Sequence, residues 1–151
     1  MAASLSRVPQ GSARVRGYRD ADLHACAAIF AAGTATALRR APPGDPVGAF
    51  KEATKGEIVL VAELDSGIAG FVAIFAPEAF VHHLYVAEGC RRRGAGAALL
   101  KAALKLLRRQ GALKCRLDNT PALAFYQRLG WQEAERGYDP DAGVWVRLLS
   151  P

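Results

Sequence analysis

Cysteine is scarce in this chain of 151 residues: Cys26, Cys90 and Cys115 are odd in number and far apart, with no C-x-x-C pair and no histidine at zinc-finger spacing. That excludes a disulfide framework and a structural zinc site, and it predicts free thiols in a reducing compartment. Long hydrophobic runs are also missing. Arg7 and Pro9 interrupt the N-terminus where a secretory signal needs an unbroken apolar stretch, and no later segment reads as an uninterrupted run of about 18 apolar residues. The chain is therefore expected to be soluble and cytoplasmic, without a membrane partner. Internal repeats and long low-complexity tracts are absent, and acidic residues are outnumbered, 14 against 20 Lys and Arg. The formal charge of +6 favours anionic partners without saying which kind.

What is present is enough apolar residue, 51%, for one substantial core. Residues 1–14 are expected to be a disordered tail and 15–151 a single domain. Val15–Tyr18 reads as a short strand, followed by Asp20 as N-cap of a helix whose Leu23, Ala27 and Phe30 share a face and which Gly33 should stop. "RRAPPGDP" (39–46) breaks the chain, and a short helix fits "VGAFKEATKG" (47–56). Apolar runs at 57–64 and 68–76 around "DSG" predict a hairpin, and 80–86 adds a third antiparallel strand.

A helix then runs through "AALLKAALKLLRRQG", with Leu99, Leu100, Ala103, Leu104 and Leu107 on its apolar face and Gly111 as expected C-cap. A strand at 113–117, a helix at 121–130 and strands near 131–136 and 144–149 complete the order β α α β β β α β α β β. An α/β (α+β) fold follows, with a mostly antiparallel sheet containing one parallel neighbour pair.

The stretch "GCRRRGAGAALL" (89–100) lies between a strand end and a helix start, where unpaired N–H groups and the helix dipole favour an anion. Gly94 and Gly96 would let a phosphate approach the main chain closely, and Arg91, Arg92 and Arg93 supply positive charge. Neither common phosphate-loop pattern fits, because G-x-x-x-x-G-K-[ST] is absent and position 99 is Leu where G-x-G-x-x-G needs Gly. The pattern present is R-x-x-G-x-G, at Arg91, Gly94 and Gly96.

A second motif decides between a phosphate loop and a solvated basic turn. "LDNTPALAFYQRLGW" (117–131) matches N-x-x-A-x-x-F-Y-x-x-L-G-[FW]. With "LYVAEGCRRRGAGAALL" upstream, it resembles the GCN5-related N-acetyltransferase (GNAT) superfamily over most of Val15–Leu149. The resemblance implies a central sheet of six to seven strands flanked by about four helices and splayed between the fourth and fifth strands. It implies acetyl-CoA as co-substrate and no metal. The pantetheine arm would lie along the backbone of Leu84, Tyr85 and Val86, and the pyrophosphate would sit on amides of Arg91, Arg92, Arg93, Gly94, Ala95, Gly96 and Ala97. Asn119 and Tyr126 would lie near the other end of the cofactor. Glu88 and Cys90 depart from the family pattern, which often has Pro and an aromatic there. Cys90 reads as a packing residue, because direct transfer needs no covalent enzyme intermediate.

Transfer to an amine needs a proton acceptor, since an alkylamine with a pKa near 10.4 is mostly charged at neutral pH. His82 stands at a position where resembling enzymes carry a base, with His83 or a water chain as alternatives. Strand alternation predicts that His82 and His83 point to opposite faces. Tyr126 matches the family's general acid for the departing thiolate, and an N–H near Val86 would polarise the acetyl carbonyl. The function expected is direct acetyl transfer to a primary amine of a small molecule or a peptide by a monomer or homodimer. Two other readings are an acyl-CoA sensor of the same fold and a nucleic-acid module using Arg39, Arg40, Arg91–Arg93, Lys101, Lys105, Arg108 and Arg109. No nucleic-acid motif accompanies those charges. The acceptor would be set by the first helix, the loop 33–57 and the segment 136–144, where Asp45, Glu52, Asp139 and Asp141 could attract a cationic amine.

Overall fold

The computed structural model describes residues 12–151. The expected tail, 1–14, lies outside the described residues as far as Gly11, and Arg14 already opens the first strand. Strands β1 (Arg14–Gly17), β2 (Ile58–Leu64), β3 (Gly67–Phe75), β4 (Phe80–Val86), β5 (Ala112–Arg116), β6 (Gln132–Asp139) and β7 (Gly143–Leu149) form one sheet in the order β1-β2-β3-β4-β5-β7-β6. Four helices accompany it: α1 (Leu23–Leu38), α2 (Pro46–Ala53), α3 (Ala95–Leu107) and α4 (Thr120–Arg128). Element order and the parallel pair, β4 beside β5, are those expected from the sequence. All other neighbours are antiparallel.

Each face of the sheet builds its own core. On one side α3, α4 and Trp131 close over Val72, Ile74, Val81, Leu113, Cys115, Val146 and Leu148. On the other, α1 and α2 place Cys26, Ala27, Phe30 and Phe50 against Val61, Phe71 and Ala73. This second core takes in no residue of β5, β6 or β7. That half of the sheet therefore stays bare on the α1 side.

Three helix boundaries differ from the sequence reading. Asp20 is not the cap of α1 but starts a 3-10 turn, Asp20–Asp22. Asp22 takes the junction, its carboxylate accepting from Nη1 and Nη2 of Arg16 at 2.8 and 2.9 Å and from the Arg19 amide at 2.8 Å. Gly33 does not stop α1, which runs to Leu38 and ends on a left-handed Arg39. Instead Gly33 lets α1 touch β4, since a Cβ there would lie 2.2 Å from Cδ1 of Tyr85. Likewise α3 ends at Leu107 on a left-handed Arg108, not at Gly111, which is crowded by Leu104.

The stretch Asp20–Leu38 is also long and apolar enough, by length and composition, to cross a membrane. Abundant alanine raises its mean hydropathy without a continuous run of large apolar residues. Its Cys26, Ala27, Phe30 and Ala31 are buried within the fold.

Candidate active site

The parallel pairing of β4 and β5 consists of one register point, Phe80 with Ala112, where the Ala112 amide donates to Ala79 O at 2.9 Å. No further pair joins the two strands, which leaves an opening between Leu84–Val86 and Cys115–Leu117. Hydrogen-bond phase tells which β4 groups face that opening. Ala87 N donates to Ala69 O at 2.7 Å, and in an antiparallel ladder such pairs recur every second residue. Ala87, Tyr85 and His83 thus spend their backbone groups on β3, while those of Leu84 and Val86 point into the opening. Tyr85, expected to offer its backbone with theirs, offers instead an aromatic wall.

Just beyond β4, residues Glu88–Cys90 make a 3-10 turn and the chain reaches α3 through Arg92 at φ 65° and Gly94 at φ 75°. These left-handed conformations curl the loop so that, among the described residues, the amides of 92–97 make no hydrogen bond; Ala98 N is the first to find a helical acceptor, Gly94 O at 3.0 Å. Gly94 is there for its φ. Gly96 answers to a different demand, because a Cβ would come within 3.1 Å of Cζ of Phe125 on α4. Arg91, Arg92 and Arg93 are exposed, as is Glu88, while Cys90 packs against the α3-side core as expected. Buried thiols at Cys26 and Cys115 are pushed up to about 12 and about 11, which leaves them unreactive at neutral pH.

Asn119 is the N-cap of α4, its Oδ1 accepting from Ala122 N at 3.4 Å. Tyr126, on the next turns, is half-buried between Phe125 and Trp131, with ring centroids 5.3 and 6.0 Å away. Burial holds its hydroxyl well above the ordinary phenol range, with Cys115 and Tyr85 acting in the same direction. It is a neutral proton donor at physiological pH.

The histidines depart from simple alternation. Ala73 pairs with His83 but Ile74 pairs with Val81, so His82 is an extra residue, a β-bulge. The bulge turns both imidazoles to the α1 side, with ring centroids 6.1 Å apart, where alternation had predicted opposite faces. His83 sits edge-on to Phe30 at 5.5 Å, and its burial lowers its pKa. His82 stacks on Phe75 at 6.0 Å, and its Nδ1 is hydrogen-bonded to Oε1 of Glu57. A carboxylate only accepts, so Nδ1 carries the proton of that bond and Nε2 is the ring nitrogen left outside it. Glu57 is 5% exposed against 40% for His82, and its Oε2 is buried without a partner. Glu57 was not foreseen as a functional residue. Only a carboxylate opening an apolar run, "EIVLVAEL", hinted at it.

His82 lies on the α1 side of the sheet and Tyr126 on the α3 side. The phosphate-type loop leads into α3 and Tyr126 packs with the α3-side core, while the histidine–glutamate pair lies on the α1 side. A family model described as the acetyltransferase (GNAT) domain matches residues 55–133, more than half of the chain. The chain belongs to the GNAT acetyltransferase family. It is thus an acyltransferase by family, and its fold is the GNAT fold expected from the sequence.

Individual relatives of this GNAT chain are distant or partial. Mycothiol acetyltransferase of Clavibacter sepedonicus is 37% identical over 83 residues, 51% of this chain and 27% of that protein. The match thus spans about a quarter of that curated relative. Among solved structures, ribosomal-protein-alanine N-acetyltransferase from Brucella melitensis superposes with a TM-score of 0.72 at 20% identity, over 91% of this chain and 98% of that one. A phosphinothricin acetyltransferase from Sinorhizobium meliloti, in complex with acetyl-CoA, gives 0.72 at 19% identity over 93% and 88%. At that identity the likeness speaks for the fold. Among the described residues no cluster of His, Cys, Asp and Glu is arranged to hold a metal ion.

Proposed function

We propose that this GNAT chain transfers acetyl from acetyl-CoA directly to a primary amine. The observation that carries the reading is the continuity between the six unpaired amides of 92–97 and the free edge of Leu84 and Val86. One end suits a pyrophosphate and the other an extended amide-bearing arm that pairs like a strand. Acetyl-CoA would supply a thioester, whose carbonyl is the electrophile. Arg91 would add charge-assisted hydrogen bonds to the anion, and Arg92 and Arg93 mainly positive potential.

In this reading Nε2 of His82 takes the ammonium proton, and Glu57 holds the ring in the tautomer that can do so. The amine nitrogen then bonds to the carbonyl carbon and the developing oxyanion is met by an inward N–H of β4, at Val86. The adduct's nitrogen then loses its second proton to His82, which has released the first to solvent. As the C–S bond breaks, Tyr126 donates its proton to the sulfur, so that CoA leaves as a thiol and Tyr126 regains a proton from water. Such a positioned acid and base each contribute about 10²–10⁴-fold. Asn119, already committed to capping α4, acts here by fixing the helix that bears Tyr126.

Thermal denaturation with acetyl-CoA tests the reading. At 100 times the dissociation constant a ligand adds about 2.7 kcal/mol, which for a domain of this size is a rise of about 5–11 °C. No rise with millimolar acetyl-CoA or CoA would refute it. Binding without CoA release on any amine would replace transfer by sensing.

A further inference from the structure

We propose that the bare half of the sheet beside the opening is the acceptor wall, and that it selects an amine that also carries a carboxylate. The inference rests on the acetyl-transfer reading above and extends it to the substrate class. Directly paired residues share a face, so register gives two rows across β5, β7 and β6: Arg116–Trp145–Gly137 and Lys114–Arg147–Glu135. Their neighbours Leu113, Cys115, Val146 and Leu148 belong to the α3-side core, which puts both rows on the α1 side with His82, His83 and Tyr85.

Trp145 forms the floor. It lies flat across Gly137, where a Cβ would be 2.0 Å from Cζ2 of the indole, and Lys114 Nζ stands 4.1 Å from its ring centroid. Around it the charge is mostly of one sign. Lys114 makes no ion pair among the described residues. Arg147 reaches Glu135 only at 3.7 Å, and its Nε is buried without a partner. Arg116 is occupied by Asp118, at 3.0 and 2.9 Å. From the end of α1, Arg39 acts on Asp118 and Arg40 on Tyr85, so both exposed guanidiniums lie within electrostatic reach of the opening.

Lys114, Arg116 and Arg147, with Arg39 and Arg40 nearby, thus outnumber Asp118, Glu135 and Asp139 on this side, while the opposite wall holds Glu57 beside His82. A zwitterion meets both: its ammonium goes to the histidine–glutamate side and its carboxylate to Lys114 and Arg147. Two of the four acids that the sequence suggested for drawing in a cationic amine are already hydrogen-bonded to the main chain. Asp45 Oδ1 accepts from Gly48 N at the start of α2, and Asp139 Oδ1 accepts from the amides of Asp141 and Ala142 in the β6–β7 turn. Polyamines and other polycations are disfavoured by the same field.

The test is CoA release by the full chain with free amino acids, the corresponding amino-acid amides and spermidine as acceptors. Amino acids are expected to exceed their amides in kcat/KM by about tenfold, with spermidine poorest. Carboxylates and amides differ in amine basicity, so the deciding arm compares one amino acid across variants. Lys114→Glu and Arg147→Glu should each raise its KM by at least about fivefold, the scale of a strong surface ion pair reversed in sign. The KM of its amide, a net cation, should fall rather than rise, and the thermal shift with acetyl-CoA should persist. An unchanged KM for the amino acid in both variants, or spermidine as the best acceptor, overturns the proposal while leaving acetyl transfer standing. If acetyl-CoA neither shifts the melting temperature nor is consumed with any amine, the transfer reading fails and this one falls with it.

Discussion

Replacing Gly33 by alanine sets two effects of opposite sign against each other at the contact between α1 and β4. Inside a helix, Gly→Ala is ordinarily worth about 0.8–1 kcal/mol in favour of folding. Here the new methyl would stand 2.2, 2.8 and 2.8 Å from Cδ1, Cε1 and Cγ of Tyr85. Carbon atoms pack best about 3.5–4.0 Å apart, so helix and ring must separate by over an ångström. The ring has little room to give way, because Phe30, Phe71 and His83 surround it with centroids 6.0, 6.0 and 6.2 Å away. Overpacking of this kind costs about 1–3 kcal/mol, so the penalty should exceed the helical gain by about 1 kcal/mol.

For a domain of this size that is a fall of about 2–4 °C in Tm, measured by calorimetry. The decisive measurement is the same substitution in a Tyr85→Ala background. There the obstructing atoms are gone, and Gly33→Ala should raise Tm by the helical contribution, with a coupling of about 1–3 kcal/mol between the two sites. An increase in Tm of the same size in both backgrounds would refute the reasoning. It would show that α1 can move away from β4 at no cost.

Three other outcomes follow from the site. Tyr126→Phe and Glu57→Gln should each lower kcat at least about tenfold while the melting-temperature rise with acetyl-CoA persists, since one removes a proton donor and the other the group orienting His82; unchanged turnover would remove the assigned role. Burial lowers the pKa of His83, so the unfolded chain binds that proton more readily than the fold does. The resulting stability is present above the unfolded value of about 6.5 and is lost as pH falls below it. His83→Phe, which keeps the aromatic contacts, should therefore show a smaller drop in Tm between pH 7 and pH 5 than the parent chain. An equal drop would place the acid sensitivity elsewhere.

The acidic partner of Arg16 does not confound that comparison. Two guanidinium hydrogen bonds hold the Asp22 carboxyl below its ordinary range, so its contribution is lost only at lower pH, once that carboxyl is protonated.

Much of this protein is written in local pattern. Apolar periodicity set the order of strands and helices, because each element must bury its own stripe or face. The spacing Arg91, Gly94, Gly96 marked the loop, because a run of free amides at a helix start depends on a few consecutive residues. Helix ends were less legible: Gly33 and Gly111 looked like stops but are small because Tyr85 and Leu104 press on them. The ends fell on Arg39 and Arg108, whose left-handed conformations no local preference announces.

The chemistry of the α1 side was decided by tertiary structure alone. A bulge belongs to a pair of strands, not to either one, so "FVHHLYV" could not reveal that His82 and His83 share a face. Glu57 and His82 are 25 residues apart in sequence, brought together only where β2, β3 and β4 begin and end side by side. The cations of the bare face come from β5, β7 and the end of α1, and read as scattered charge until the register lines them up. A sequence fixes what lies within one turn or one strand; which side chains meet across strands waits on the pairing, and this candidate site is made of such meetings.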